Sequence, residues 1–246
     1  MNRIFNDYET LSRAAAELFA ECARRAVQNH GRFVVALSGG NTPKRAFEIL
    51  ALAPLRDSID WSRIEVFWSD ERCVPPGDSR RNSLSARRRL LDRVPIPADR
   101  IHPIEGLDSP SQAAAEYENQ IRGIFGENPP HFDLIFLGLG QDGHTASLFP
   151  YSDILEDKHR WVRGVQAGES QPDRVSFTPV LINQAAVVAF LVSGEQKSSI
   201  VREIQLGPRE PNRLPAQNIR SQYGKTVWLL DRKAASCLEA AEASRF

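Results

Sequence analysis

Residues 138–144 place a candidate acid–base side chain in a glycine-rich segment. The segment is Gly-Leu-Gly-Gln-Asp-Gly-His, so that His144 follows Asp142 by two residues. An imidazole changes its charge near neutral pH and can therefore remove and return a proton. Asp142 could accept a hydrogen bond from one ring nitrogen and direct the other toward a substrate. The same residues also fit an Asx turn that carries a surface histidine, and both interpretations stay open at this point.

A second segment has the composition of an anion-binding loop. Residues 38–42 are Ser-Gly-Gly-Asn-Thr, and Pro43 follows them. Glycines let the backbone approach an anion closely, and the amides of a first helical turn can donate hydrogen bonds to it. The segment matches neither the P-loop nor the dinucleotide fingerprint, so nucleotide binding is not indicated. A plain tight turn between a strand and a helix is the alternative.

Basic side chains near these loops could hold a phosphate group. Lys197 ends the segment Ser-Gly-Glu-Gln-Lys at 193–197, and Lys44 and Arg72 also lie close to predicted strand ends. A lysine at such a position can contact a phosphate as a point charge. A solvated surface position is the alternative for each of the three.

Apolar segments predict the strands that must position these residues. The segment 33–37 is short and continuously apolar, as expected for a strand buried on both faces. Further strands are predicted at 64–68, 132–137, 187–192 and 226–230. Segments predicted to be helical alternate with them, at 10–29, 43–52, 82–91, 111–125 and 233–243. One more helix is predicted after residues 193–195 and ends at about residue 206. Thr42, which precedes Pro43, is the predicted N-cap of the second helix. The alternation predicts a single α/β domain over residues 1–246, with a mostly parallel sheet, helices on both faces and ligand-binding loops after the strands.

Composition excludes several classes of protein. Lys and Arg total 31 and Asp and Glu total 31, so the formal net charge is zero. A binder of nucleic acid or of an anionic membrane needs an excess of positive charge, so we expect neither partner. The three cysteines are far apart in sequence, which indicates reduced thiols in a cytoplasmic protein and no zinc site.

Four motifs together resemble the 6-phosphogluconolactonase family. They are Val-Ala-Leu-Ser-Gly-Gly-Asn-Thr-Pro at 35–43, Trp-Ser-Asp-Glu-Arg at 68–72, Gly-Leu-Gly-Gln-Asp-Gly-His-Thr-Ala-Ser-Leu-Phe-Pro at 138–150, and Ser-Gly-Glu-Gln-Lys at 193–197. The resemblance extends from the first predicted helix to the last. It implies a modified Rossmann-like, three-layer fold and hydrolysis of 6-phospho-D-glucono-1,5-lactone in the oxidative pentose phosphate pathway. It also implies that neither a metal nor an organic cofactor is needed, and we expect a monomer or a homodimer.

The resemblance implies a role for each matching residue. His144 is expected to be the base that activates water for attack on the lactone carbonyl, and Asp142 is expected to orient it. The substrate and its phosphate group are expected to contact a larger set: Ser38, Gly39, Gly40, Thr42, Lys44, Asp70, Arg72, Arg174 and Lys197.

Two other functions are compatible with these motifs. One is a glucosamine-6-phosphate deaminase or isomerase, and the other is a sugar-phosphate sensor without catalysis. In the deaminases a glutamate follows the Asp-Gly-His motif within five residues, whereas this chain has Phe149, and a tyrosine stands where this chain has Arg72. A sensor would have no need of His144, and the sensors carry a DNA-binding module that the short segment before Phe33 does not accommodate. These differences favour the lactonase.

Overall fold

The computed structural model describes residues 1–106, 108–126, 129–168 and 171–243. In chain order, the strands and helices are β1 (Asn2–Phe5), α1 (Tyr8–His30), β2 (Phe33–Leu37), α2 (Thr42–Leu50), α3 (Leu55–Ser58), β3 (Ile64–Trp68), β4 (Asp70–Arg72), α4 (Asn82–Arg89), α5 (Pro110–Phe125), β5 (Leu134–Leu137), β6 (Val162–Val165), β7 (Arg174–Phe177), α6 (Pro179–Ile182), β8 (Val187–Val192), α7 (Ser198–Leu206), β9 (Lys225–Asp231) and α8 (Arg232–Ala243). No helix within these ranges has the length and apolarity needed to cross a bilayer.

A six-stranded parallel sheet forms the centre of the fold. Its strand order is β1-β9-β8-β5-β2-β3, and every neighbouring pair runs parallel. All residues of β2, β3, β5 and β8 are buried, because helices cover both faces of the sheet. The predicted α/β fold with a mostly parallel sheet is confirmed.

A second, three-stranded sheet was not predicted from the sequence. It has the order β4-β7-β6, and both of its strand pairs are antiparallel. β4 consists of Asp70, Glu71 and Arg72, a composition without the apolar run or the alternation that indicates a strand. The exposed edge strand β1 carries no such signal either.

The ends of the first two helices follow from local chemistry. Asp7 caps α1 through a reciprocal pair of hydrogen bonds with Thr10, and Gly31 ends the helix at φ +82°. The predicted N-cap of α2 is wrong by one residue. Thr42 already belongs to the helix and Asn41 is the N-cap, because the backbone N–H of Lys44 donates to the carbonyl of Asn41 at 3.3 Å.

The strand order decides where the functional loops lie. β8, β5, β2 and β3 are consecutive neighbours in the central sheet. Since they are parallel, the loops after their carboxyl ends all emerge at one edge. Lys197, the segment 138–144, the segment 38–42 and Asp70 follow these four strands in that order across the sheet.

Candidate active site

A cavity of about 490 Å³ opens where the loops after β2, β5 and β8 meet. Its lining includes four of the predicted site residues, Gly39, Gly40, Thr42 and Lys197, together with Gly138 and Gln141 of the segment 138–144. The structure therefore brings the glycine-rich segment, the start of the histidine loop and the lysine together in one cavity. Ser38 lies just below it, buried, with its hydroxyl 3.9 Å from where a side chain on Gly138 would begin.

His144 and Asp142 form a hydrogen-bonded pair beside this cavity. The imidazole Nδ1 lies 2.6 Å from Asp142 Oδ1, and the His144 side chain is 33% exposed. The backbone N–H of His144 donates to the same Oδ1 at 3.1 Å, which is the Asx turn considered above. The turn and the orienting contact are thus one arrangement. With Nδ1 held by Asp142, Nε2 is the nitrogen available for proton transfer.

The carboxyl group of Asp142 has a lower pKa than an ordinary aspartic acid. Partial burial works to raise its pKa, but the hydrogen bond from His144, the charge of that ring and nearby backbone amides outweigh burial and lower the pKa to about 2. Asp142 is therefore ionised at every pH at which His144 could act as a base.

This depressed pKa predicts how acid affects the stability of the protein. A carboxyl whose folded pKa lies below its ordinary value of 3.8 stabilises the fold above that value, and the contribution is lost as pH falls through about 2. The difference in unfolding free energy between wild type and Asp142→Asn should be larger at pH 5 than at pH 2, and it should shrink as the pH falls from about 4 to about 2. Urea denaturation at a series of pH values measures it, and a difference that stays constant or grows in acid would contradict the assignment.

The histidine loop depends on close backbone approach at Gly140. A Cβ atom built on Gly140 would lie 2.1 Å from His144 Nδ1 and 2.4 Å from Asp142 Oδ1. The N–H of Gly140 also donates to the carbonyl of His144 at 2.8 Å. Beyond the histidine, the Thr145 hydroxyl donates to the carbonyl of Gly138 at 2.8 Å, and Ala146 adopts the left-handed backbone at φ +48°.

Two features hold the glycine-rich segment in place. Gly40 has φ +85°, a conformation that side chains rarely adopt. The Tyr8 hydroxyl, from the start of α1, donates to the carbonyl of Asn41 at 3.1 Å. Tyr8 also lines the cavity. It was not predicted from the sequence, because it belongs to none of the motifs at the strand ends.

Lys197 faces this segment across the cavity. Burial lowers the pKa of its ammonium group, while the charge of Asp142 acts in the opposite direction. Lys44 is placed differently, because its Nζ donates to Asn41 Oδ1 at 2.8 Å and it is not part of the cavity lining.

The remaining predicted residues form a neighbouring cluster on β4 and β7. Arg72 and Arg174 lie directly opposite each other in the antiparallel register. Burial and the charge of Arg72 lower the pKa of Arg174. Within the described residues, the Nε atoms of both arginines are buried without a hydrogen-bond partner. Neither arginine nor Asp70 lines the cavity, so their contacts with substrate stay predictions.

Other histidines have structural partners. His30 Nε2 lies 2.9 Å from Asp133 Oδ1, and His102 Nε2 lies 2.8 Å from Glu65 Oε2. The His102 ring also stacks on Phe67, with the ring centroids 4.5 Å apart. In the part of the chain that the structure describes, no three His, Cys, Asp or Glu side chains form a group that could hold a metal ion.

Comparison with known proteins identifies relatives over nearly the whole chain. Residues 6–228 match the sequence model of the family described as glucosamine-6-phosphate isomerases/6-phosphogluconolactonase. A 6-phosphogluconolactonase of Synechocystis sp. is 42% identical, covering 87% of this chain and 88% of the relative, and one of Haemophilus influenzae is 39% identical, covering 83% and 87%. The solved structure of 6-phosphogluconolactonase from Trypanosoma cruzi superposes with a TM-score of 0.86 at 27% identity, covering 96% of each chain.

Proposed function

Because the chain belongs to the family of glucosamine-6-phosphate isomerases and 6-phosphogluconolactonases, we propose that it hydrolyses 6-phospho-D-glucono-1,5-lactone to 6-phospho-D-gluconate. It is an enzyme of sugar-phosphate metabolism, a carboxylic ester hydrolase of the oxidative pentose phosphate pathway. The observation that carries the proposal is the His144–Asp142 pair beside a cavity lined by a glycine-rich loop and a lysine.

The surroundings of His144 favour hydrolysis over the deaminase reaction of the same family. The ring of Phe149 packs on the His144 ring, with their centroids 5.0 Å apart. Phe149 occupies the position where the resemblance would place a glutamate in a deaminase. With an apolar ring at this position, Asp142 is the carboxylate that binds His144. This arrangement suits a histidine that acts as a base toward one water molecule.

The reaction needs one group that moves a proton twice. His144 Nε2 removes a proton from water as the oxygen attacks C1 of the lactone, and a tetrahedral intermediate forms. The intermediate collapses with cleavage of the bond between C1 and the ring oxygen, and the imidazolium returns its proton to that oxygen. The ionised Asp142 holds the ring in place and stabilises its protonated form.

The phosphate group gives the enzyme a distant point by which to orient the lactone. We expect the amides and hydroxyls of residues 38–42 to bind it together with Lys197, and the fact that residues 39–42 and Lys197 line one cavity supports this. Lys44, Arg72 and Arg174 are further candidates. Binding energy from a part of the substrate that does not react can be used to align the part that does.

Replacement of Lys197 by glutamine tests this use of the phosphate. A hydrogen bond to a charged group contributes about 1.5–3 kcal/mol, so kcat/KM for the phosphorylated lactone should fall roughly 10- to 100-fold. Glucono-1,5-lactone, which has no phosphate, should be affected far less. Lys158→Gln, at an exposed position, is the matched control. Equal losses on the two substrates would remove Lys197 from phosphate binding.

The proposed function is tested by an assay of the hydrolysis of freshly prepared 6-phosphogluconolactone, in which the acid that the reaction releases is measured over time. A reaction without enzyme is needed in parallel, because this ester also hydrolyses unaided. Turnover well above that background supports the proposal. Release of ammonia from glucosamine 6-phosphate without lactone hydrolysis would assign the chain to the deaminases, and binding without either reaction would indicate a sensor.

Location and assembly complete the proposal. All three cysteines are free thiols, which supports a reducing, cytoplasmic environment. The balanced charge supports a protein whose partner is a small molecule and neither nucleic acid nor a membrane. We expect it to act as a monomer or a homodimer.

A further inference from the structure

Three buried polar residues connect the two loops of the active site. Asp70 lies on β4, Ser147 lies three residues after His144, and Asn82 begins α4; they are 6%, 1% and 3% exposed. We propose that Ser147 and Asn82, which Asp70 joins, are positioning residues of the lactone hydrolysis and that neither touches the substrate. The inference rests on the proposed function, since it concerns the reaction of that site.

Asp70 is the centre of this network. Its Oδ2 accepts a hydrogen bond from the Ser147 hydroxyl at 2.7 Å. Asn82 Nδ2 donates both to the carbonyl of Asp70 at 2.9 Å and to its Oδ1 at 3.3 Å. A buried carboxylate without donors is costly, so Asp70 holds both partners firmly. With both carboxylate oxygens engaged inside the protein, Asp70 is better placed to fix the loops than to meet a sugar.

Ser147 fixes the far end of the histidine loop. Its backbone N–H donates to the hydroxyl of Ser176 on β7 at 3.2 Å, in addition to its own hydroxyl bond to Asp70. Between His144 and Ser147 lies Ala146, whose left-handed backbone is unfavourable for a residue with a side chain. Such a conformation persists only where neighbouring contacts impose it. The two bonds of Ser147 supply that restraint and thereby set the position of His144.

Asn82 fixes the glycine-rich segment in a corresponding way. A Cβ atom on Gly39 would lie 1.8 Å from Asn82 Oδ1, so the amide packs directly on the backbone of this segment. Asn82 is itself anchored, because its backbone N–H donates to the buried Glu71 carboxylate at 2.7 Å. Asn82 therefore fixes the backbone of the cavity in which the phosphate is proposed to bind, whereas Ser147 fixes the position of His144, the proposed catalytic base.

The two ends of the network should affect different kinetic constants. Ser147→Ala should lower kcat about 10- to 100-fold with little change in KM, because a small displacement of His144 from the attacking water slows the reaction and leaves substrate binding intact. Asn82→Ala should chiefly raise KM, because the phosphate-binding loop is displaced. Ser147→Thr restores the hydroxyl and should recover most of kcat. If Ser147→Ala does not fold, Ser147→Cys, which keeps the volume and a weak donor, tests the same step.

A spectroscopic measurement separates this inference from the proposed function. The ring NMR signals of His144 in the protein without substrate should shift in Ser147→Ala, whether or not the lactone is the substrate. Ser221→Ala is the matched control, because it removes a hydroxyl that donates to the carbonyl of Ala185 at 2.6 Å near the opposite ends of the strands. Shifted signals without the kcat effect, unchanged signals in Ser147→Ala, or equal changes in both serine variants would overturn the inference. The kcat criterion applies to a wild type that hydrolyses the lactone. If the wild type shows no lactone turnover but the His144 signals shift in Ser147→Ala and not in Ser221→Ala, the proposed function is overturned and the positioning of His144 by Ser147 stands.

Discussion

Replacement of His144 by alanine is expected to lower kcat on 6-phosphogluconolactone by about 10²–10⁴-fold, the usual contribution of a positioned general base. The contact of His144 Nδ1 with Asp142 Oδ1 leaves Nε2 to exchange protons with water and with the ring oxygen of the lactone, and the imidazole is one-third exposed. KM should change little, because the phosphate is bound by other groups. Initial rates on fresh lactone, corrected for the reaction without enzyme, measure the loss.

His159→Ala is the control for this experiment, since His159 is exposed and does not line the cavity. It should retain full turnover and the same pH dependence as the wild type. If His144→Ala hydrolyses the lactone at near the wild-type rate, another group supplies the base and the assignment fails.

Gly140→Ala is expected to reduce kcat nearly as far, although it leaves every polar group of the site in the chain. The added Cβ would need to occupy the space of His144 Nδ1 and Asp142 Oδ1, at 2.1 Å and 2.4 Å, so the pair must separate or turn away. Misplacement of reacting groups by about 1 Å can cost about 100-fold in rate, and loss of the base costs more. We therefore expect a fall in kcat of between about 10² and 10⁴-fold, measured as for His144→Ala.

The chain offers a matched glycine for comparison. Gly123 lies within α5, and a Cβ there would meet nothing within 4 Å. Gly123→Ala should leave kcat unchanged and should stabilise the protein by roughly 0.5–1 kcal/mol, because alanine is the better helix former. A Gly140→Ala enzyme that keeps more than a third of its kcat would show that the histidine loop adapts and that the close approach is not required.

The elements that the sequence predicted are those with a strong local signal. The strands β2, β3 and β8 have the predicted bounds. β2 and β8 are continuous apolar runs, as expected for strands buried on both faces, and Glu65 is the one polar residue of β3. The sheet of β4, β6 and β7 lacks this signal. Its strands are three or four residues long, and β4 is entirely charged, so only the tertiary pairing shows that it is a strand.

The candidate site divides in the same way. Asp142 and His144 are two residues apart, so their hydrogen bond could be expected from the sequence alone. The bond between Ser147 and Asp70 joins residues 77 positions apart, and the contact of Tyr8 with Asn41 joins residues 33 apart. Hydrogen bonds of this kind leave no periodic trace, and the fold must be known before they can be found.

The left-handed backbone of Ala146 also bears on the durability of the enzyme. For a residue with a side chain this conformation costs roughly 1–2 kcal/mol, whereas glycine adopts it freely and loses about 0.4–1 kcal/mol through its more mobile unfolded chain. Ala146→Gly should therefore raise the melting temperature slightly, and a lower melting temperature would show that the loop is unstrained. With alanine at this position, the protein is expected to be less stable to heat than its glycine variant, at the turn that connects the imidazole of His144 to Ser147.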